Sequence, residues 1–337
     1  MRYIWSFFIN FVAMPTMTSS TANTAPQSGT PYHIPALLRE TVESLDIRPG
    51  GVYADATFGG GGHSRAILAA LGPEGRLFGF DQDSDAMANA PDDPRFTFVL
   101  SNFRYMKNWM RYHNIEHLDG IMADLGVSFH HFDTAQRGFS FREEAPLDMR
   151  MNCRSHLTAM DVVNGYTDEQ LCRILRLYTD LKQAPRIAAA IVKARSQGEL
   201  ATTTQLAAAV ESTLNPRSLK KDLAQVFQAL RIEVNGEMTA LADFLKSTPK
   251  LLRHGGRLAI LTYHSIEDRM VKNFMKTGNI EGKLEQDFFG RTSTPWRLVN
   301  RSPIVASEEE IERNPRSRSA KLRVAELITQ EEKGGNR

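Results

Sequence analysis

From Pro31 to Asp124, short apolar runs alternate with stretches whose apolar residues recur at i, i+3 and i+4. GVYADAT, GRLFGFD, RFTFVL and LDGIMADLG read as strands. ALLRETVESL precedes the first of them as a helix, and HSRAILAAL, DSDAMANA and FRYMKNWMRYH read as helices around the others. Few architectures accept this order. Consecutive parallel strands need crossovers, and helical crossovers cover both faces of the sheet. The chain is therefore predicted to be α/β, with a mostly parallel sheet.

The rhythm then breaks. The next strand, GRLAILTYH, opens at Gly256, roughly 130 residues after Asp124, where a parallel crossover needs only about a dozen. DEQLCRILRLY, QAPRIAAAIVKAR and TTTQLAAAVESTL in that interval all have helical period. A helical domain at 136–232 is expected to interrupt a sheet domain formed by 31–135 and 233–337. The helix ADFLKSTPKLL leads back to the sheet, and WRLVN and AKLRVAEL add two late strands. Residues 1–30 read as a disordered leader, or as a stretch upstream of a true start at Met14 or Met17. The apolar run from Tyr3 to Met14 falls short of the roughly 20 residues that cross a bilayer, so no membrane association is expected. Two cysteines, Cys153 and Cys172, make no disulfide framework, which suits a reducing, cytoplasmic setting.

The sequence ADATFGGGGHS joins the first strand to the helix after it. Ligands of open parallel sheets bind at the carboxyl ends of the strands, and glycine there lets backbone N–H groups come close to them. The run is not a dinucleotide fingerprint: begun at Gly59, the G-x-G-x-x-G spacing ends on Ser64. It lacks a phosphate-loop lysine as well. Instead Asp55 ends the strand, Asp81 ends the second and Asp124 the fourth. Carboxylates repel a pyrophosphate and suit a cation. S-adenosylmethionine, with its ammonium and sulfonium, fits; Asp81 stands where a carboxylate accepts both ribose hydroxyls.

Longer motifs extend over nearly all of the chain beyond the leader: HIPALLRE, DATFGGGGHS, FGFDQD, DLGVS, RGFSF, PLDMRM, FQALRIEVNGE, YHSIEDRMVK and NPRSRSAKLR. In these the chain resembles the small-subunit ribosomal RNA cytosine-N4 methyltransferases of the MraW (RsmH) family. The resemblance implies a class I S-adenosylmethionine-dependent methyltransferase fold, Rossmann-like, with an inserted helical domain. It also implies methyl transfer to the N4 amino group of one cytidine in small-subunit ribosomal RNA, near the decoding centre. Cofactor contacts are implied at Gly61, Gly62, His63, Asp81, Phe103 and Asp124. One further contact is a glutamine in the family; here His131 stands in its place, because DLGVS continues Phe129, His130, His131 rather than Ser-Pro-Gln.

Methyl transfer to a cytosine amine needs the amine positioned and one of its protons accepted. Asp124 is the candidate for that task by its position, since the Asp/Asn-Pro-Pro-Tyr signature of amino-methyltransferases is replaced by DLGV. His264, after the fifth strand, is either an active-site residue or a solvated loop histidine. HNIEH, from His113 to His117, matches a zinc-peptidase pattern but ends a helix and runs into a strand, so no metal is expected. Net charge is only +2, so RNA affinity requires local clusters. Lys182, Arg186, Lys193, Arg195, Arg217, Lys220 and Lys221 form one, opposed only by Glu199 and Glu211. Arg313, Arg316, Arg318, Lys321 and Arg323 form the other.

Overall fold

The computed structural model describes residues 35–126, 135–284 and 294–328. His131 and the leader lie outside them. Five strands run parallel: β1 (Val52–Asp55), β2 (Arg76–Asp81), β3 (Phe96–Leu100), β4 (Leu118–Asp124) and β5 (Leu252–Thr262). β6 (Trp296–Leu298), β7 (Ile304–Val305) and β8 (Lys321–Leu327) follow, and β8 lies antiparallel to β5. The sheet order is β3-β2-β1-β4-β5-β8-β6, with β7 also paired to β8. This is the mostly parallel sheet that the sequence predicts, and it places β1 and β4 side by side at its centre.

Side chains alternate between the two faces, as the pleat requires. Tyr53, Leu77, Met122, Ala259 and Leu261 pack on one side, with Leu68 and Ile67 of helix α2 (Gly62–Ala70) and with Leu37 and Leu45 flanking α1 (Leu38–Ser44). Ala54, Phe78, Ile121, Ala123 and Ile260 pack on the other. There they meet α3 (Met106–Tyr112), whose Met106 and Met110 are buried. Each face thus has its own helical cover.

A separate apolar core joins α4 (Ala159–Gly165), α5 (Asp168–Tyr178), α6 (Ala184–Arg195), α7 (Thr203–Glu211) and α8 (Leu219–Asn235). Phe139, Leu147, Met149 and Met151 from the RGFSF and PLDMRM segments belong to the same core. Thr158, Thr167 and Thr202 each close a capping box that starts one of these helices. The chain changes cores at Gly236, which ends α8 with φ +58° and opens α9 (Glu237–Ser247). A side chain at this backbone angle would be strained, so the turn favours glycine. α9 then packs Leu241, Phe244 and Leu245 against the sheet, beside α10 (Ser265–Thr277).

Some elements differ from the sequence reading. DSDAMANA is a 3-10 turn, Ser84–Asn89, capped by the Asp83 side chain. ADFLKSTPKLL leaves its helix at Ser247 for a 3-10 turn, Thr248–Lys250, that contains Pro249, and β5 starts at Leu252, ahead of Gly256. Among the described residues no helix is long and apolar enough to cross a membrane.

Candidate active site

The glycine turn fills the gap between the end of β1 and the start of α2. Asp55 is its internal anchor. Its carboxylate accepts from the Thr57 N–H at 3.0 Å and from the Ser64 hydroxyl at 2.7 Å, and the residue is 1% exposed. Asp55 therefore holds the turn from beneath and does not meet a ligand directly, contrary to the reading that paired it with a cationic one. Gly61 has φ +73°, and a Cβ there would lie 2.8 Å from the Phe58 ring. One on Gly62 would lie 2.2 Å from Pro35. These two glycines are fixed by the protein's own packing. A valine at 61 would disturb the turn before it reported on a ligand.

Asp81 ends β2 alongside this turn. It accepts from the Gly59 N–H at 2.8 Å and from the Asp83 N–H at 2.8 Å, which orients its carboxylate across the strand ends. Arg137, at the start of RGFSF, reaches Asp83 at 3.0 Å and also donates to the carbonyls of Arg150 and Met151. The PLDMRM segment is held by Asn235, whose side chain bonds both Met149 O and Met151 N–H. The ring of Phe103, just past β3, is half-buried and packs on Phe244 with centroids 5.1 Å apart. A small cavity, about 70 Å³, opens between Gln82, Asn102 and the Asn152–Arg154 loop.

Asp124 ends β4 at the centre. Its backbone N–H bonds the Thr57 hydroxyl at 2.6 Å, and its Oδ1 accepts from the Tyr263 phenol at 2.7 Å. His63 is buried, with Nε2 at 3.2 Å from the Ala36 carbonyl and Nδ1 at 3.8 Å from Asp124 Oδ2. If Nε2 carries the hydrogen that this carbonyl accepts, Nδ1 is left as an acceptor. That arrangement suits a protonated Asp124. Burial pushes Asp124 up to about 7, against the Tyr263 bond that lowers it, and Glu267 adds to the rise. Burial likewise lifts Asp55 to about 6 and lowers His63. A quarter of the Asp124 side chain, 24%, remains exposed. His264 caps the start of α10, its Nδ1 accepting from the Glu267 N–H at 3.4 Å, and its Nε2 lies 2.9 Å from the buried Glu267 carboxylate. Burial alone would raise Glu267, but this contact, the charge of Arg231 and the Tyr263 N–H together outweigh it and hold the carboxyl below its usual range.

Both Asp55 and Asp124 have folded-state values above 3.8. Their contribution to stability is complete below about 4 and is lost as pH rises through about 6 and about 7. The melting temperature of the free protein is thus expected to fall, relative to an Asp124→Asn variant, as pH rises from about 5 to about 8. A difference between the two that stays constant with pH would contradict this.

Thr57, Ser64 and Tyr263 were not singled out by the sequence. Register could have pointed to Tyr263: β5 pairs Leu261 with Asp124, and Tyr263 stands two residues on. The basic clusters are also thinner than their counts. Arg195 caps the carbonyls of Val163 and Tyr166 at 2.8 and 2.6 Å. Arg323 is held bidentately by Asp268, with Lys321 at 3.7 Å from the same carboxylate. Lys182, Arg186, Lys193, Arg217, Lys220 and Lys221 are exposed. His113 packs among Phe78, Trp109 and Tyr112. Among the described residues no three potential metal ligands converge.

Residues 30–328 match the MraW methylase family. The chain is 59% identical over 298 residues to the Ribosomal RNA small subunit methyltransferase H of Parabacteroides distasonis, covering 88% of this chain and 98% of that protein. It is 58% identical to the protein of the same name from Bacteroides thetaiotaomicron, covering 88% and 97%. Among solved structures, a putative rRNA-methylase from Clostridium thermocellum aligns over 88% of this chain and all of its own, at 14% identity and a TM-score of 0.41.

Proposed function

The chain belongs to the MraW methylase family, and from that premise we propose that it methylates the N4 amino group of one cytidine in small-subunit ribosomal RNA, near the decoding centre, in the cytoplasm. S-adenosylmethionine is the methyl donor. When bound, it supplies an electrophilic methyl group beside a positive charge. The residues present suit it. Asp81 would take the ribose hydroxyls, Phe103 would lie against the adenine, and the backbone of Gly61, Gly62 and His63 would approach the amino-acid part at the start of α2. His131 is proposed for the contact that the family makes with glutamine.

The observation that carries the reading is Asp124. It ends the central strand beside the glycine turn, it is partly open, and burial brings its protonation midpoint to about 7. A carboxylate with such a midpoint accepts a proton and gives it up again near neutral pH. It would hold the cytosine N4–H and take the proton as the amine is methylated. The target base must leave its stack to reach this position. The helical segment, proposed as a substrate-recognition domain at 136–232, carries the exposed cations to meet the RNA backbone.

Labelled methyl transfer to small subunits lacking the modification, followed by nucleoside analysis, tests the assignment. N4-methylcytidine is expected; label on any other nucleoside would sink it. Replacing Lys182, Arg186, Lys220 and Lys221 by alanine should weaken RNA binding and flatten its salt dependence. The slope of log affinity against log salt should fall by up to about 3, since each lost phosphate contact removes roughly 0.7. Cofactor affinity should not change. An unaltered slope would show that these side chains do not touch RNA.

A further inference from the structure

We propose that Tyr263 is a positioning residue for the transfer: its phenol fixes the Asp124 carboxylate in the orientation that receives the amine proton. The inference rests on the reading of Asp124 above. It starts from strand register. β4 and β5 are parallel, with Asp124 opposite Leu261, so the chain leaves β5 with Tyr263 just past the strand end. From there the phenol reaches Oδ1 at 2.7 Å, a short and well-formed bond.

A terminal carboxylate torsion is broad and nearly two-fold, so an unheld Asp124 would present either oxygen over a range of angles. The Tyr263 bond occupies Oδ1. It leaves Oδ2 as the oxygen for the substrate, on the side where His63 Nδ1 lies at 3.8 Å. In the transfer the N4 lone pair forms the new N–C bond, and the S–C bond breaks with its electrons going to sulfur. One N4 proton passes to Asp124. The same phenol stabilises the charged carboxylate that must accept that proton.

Tyr263 is suited to remain a donor. Burial first, then the charges of Asp124, Glu267 and Glu310, hold its pKa well above the ordinary value. Glu310 comes from α11 (Glu308–Arg313) and is anchored by the Leu37 N–H at 2.7 Å. Asp124 itself is faced by Asp55 of β1, His63 of α2 and Glu267 of α10. Tyr263 is the group among these that both touches the carboxylate and favours its charged form.

The test is Tyr263→Phe in the full chain, read by single-turnover methyl transfer at saturating S-adenosylmethionine and undermethylated small subunits. The rate should fall about 10- to 100-fold, the worth of a hydrogen bond to a charged group. The midpoint of the pH–rate profile should rise by about one unit, because the bond that lowers the Asp124 pKa is gone. Melting temperature and cofactor affinity should stay near wild type. In an Asp124→Asn background the change should add nothing, since both residues act through one group. A wild-type rate and midpoint in Tyr263→Phe, with Asp124→Asn still slow, would overturn the role of Tyr263 and leave that of Asp124. A further full loss in the double variant would overturn it too. Full activity in Asp124→Asn would remove the underlying reading, and this proposal with it.

Discussion

Asp124→Asn is expected to bind cofactor and RNA but to transfer the methyl group about 10²–10⁴-fold more slowly, the usual contribution of a general acid–base group. Asparagine keeps the shape and can still accept from Tyr263, so the turn above it should hold. What it loses is the ability to take a proton. The measurement is the single-turnover rate at saturating cofactor and RNA. Wild-type enzyme should also gain activity as pH rises through about 7, where the carboxyl loses its proton, and the variant should show no such rise. A near wild-type rate would remove Asp124 from the chemistry. If the rate recovers only as cofactor is raised, Asp124 serves binding alone. Alanine would test this less well, because it opens space beside the methyl position.

Phe244→Ala should be the most damaging change away from the strand ends. The ring is fully buried on the sheet face, with Met106 and Met110 in the same core. Truncating a buried phenylalanine costs about 3–5 kcal/mol, a large part of the roughly 5–15 kcal/mol that holds a domain folded. Denaturant unfolding measures it, and a loss below about 1 kcal/mol would mean that the core refills the space. The same ring backs Phe103 edge-on at 5.1 Å. At temperatures where the variant is still folded, cofactor affinity should therefore also decline. Stability lost with affinity intact would show that Phe103 needs no support from α9.

Much of this site was readable from the residue order. Asp81 and Asp124 each end an apolar run, and a strand that ends in a carboxylate presents it at the ligand edge of a parallel sheet. The glycines were recognisable as a close turn because a buried strand and an amphipathic helix flank them. Their reason was not. Sequence attributes Gly61 and Gly62 to a ligand, whereas Phe58 and Pro35 already exclude a side chain at both. Asp55 shows the same limit. As a letter it is a third strand-end acid, but Thr57 and Ser64 enclose it, which the sequence does not reveal. Basic residues are similarly ambiguous, since Arg195 and Arg323 count as cations in the chain and are held by carbonyls or by Asp268 in the fold.

The sequence by itself determined the fold class and which residues end the strands. Both follow from local periodicity, which reflects which face each residue buries. Only the tertiary structure decided which groups meet. Tyr263 lies 139 residues from Asp124 along the chain, and His63 approaches the same carboxylate from the other side. No spacing rule links them. Their meeting depends on β4 lying between β1 and β5, and on the register that sets Leu261 opposite Asp124. The shift of Asp124 to about 7 belongs to that level as well, because it comes from removing water around the carboxyl, and only packing removes it.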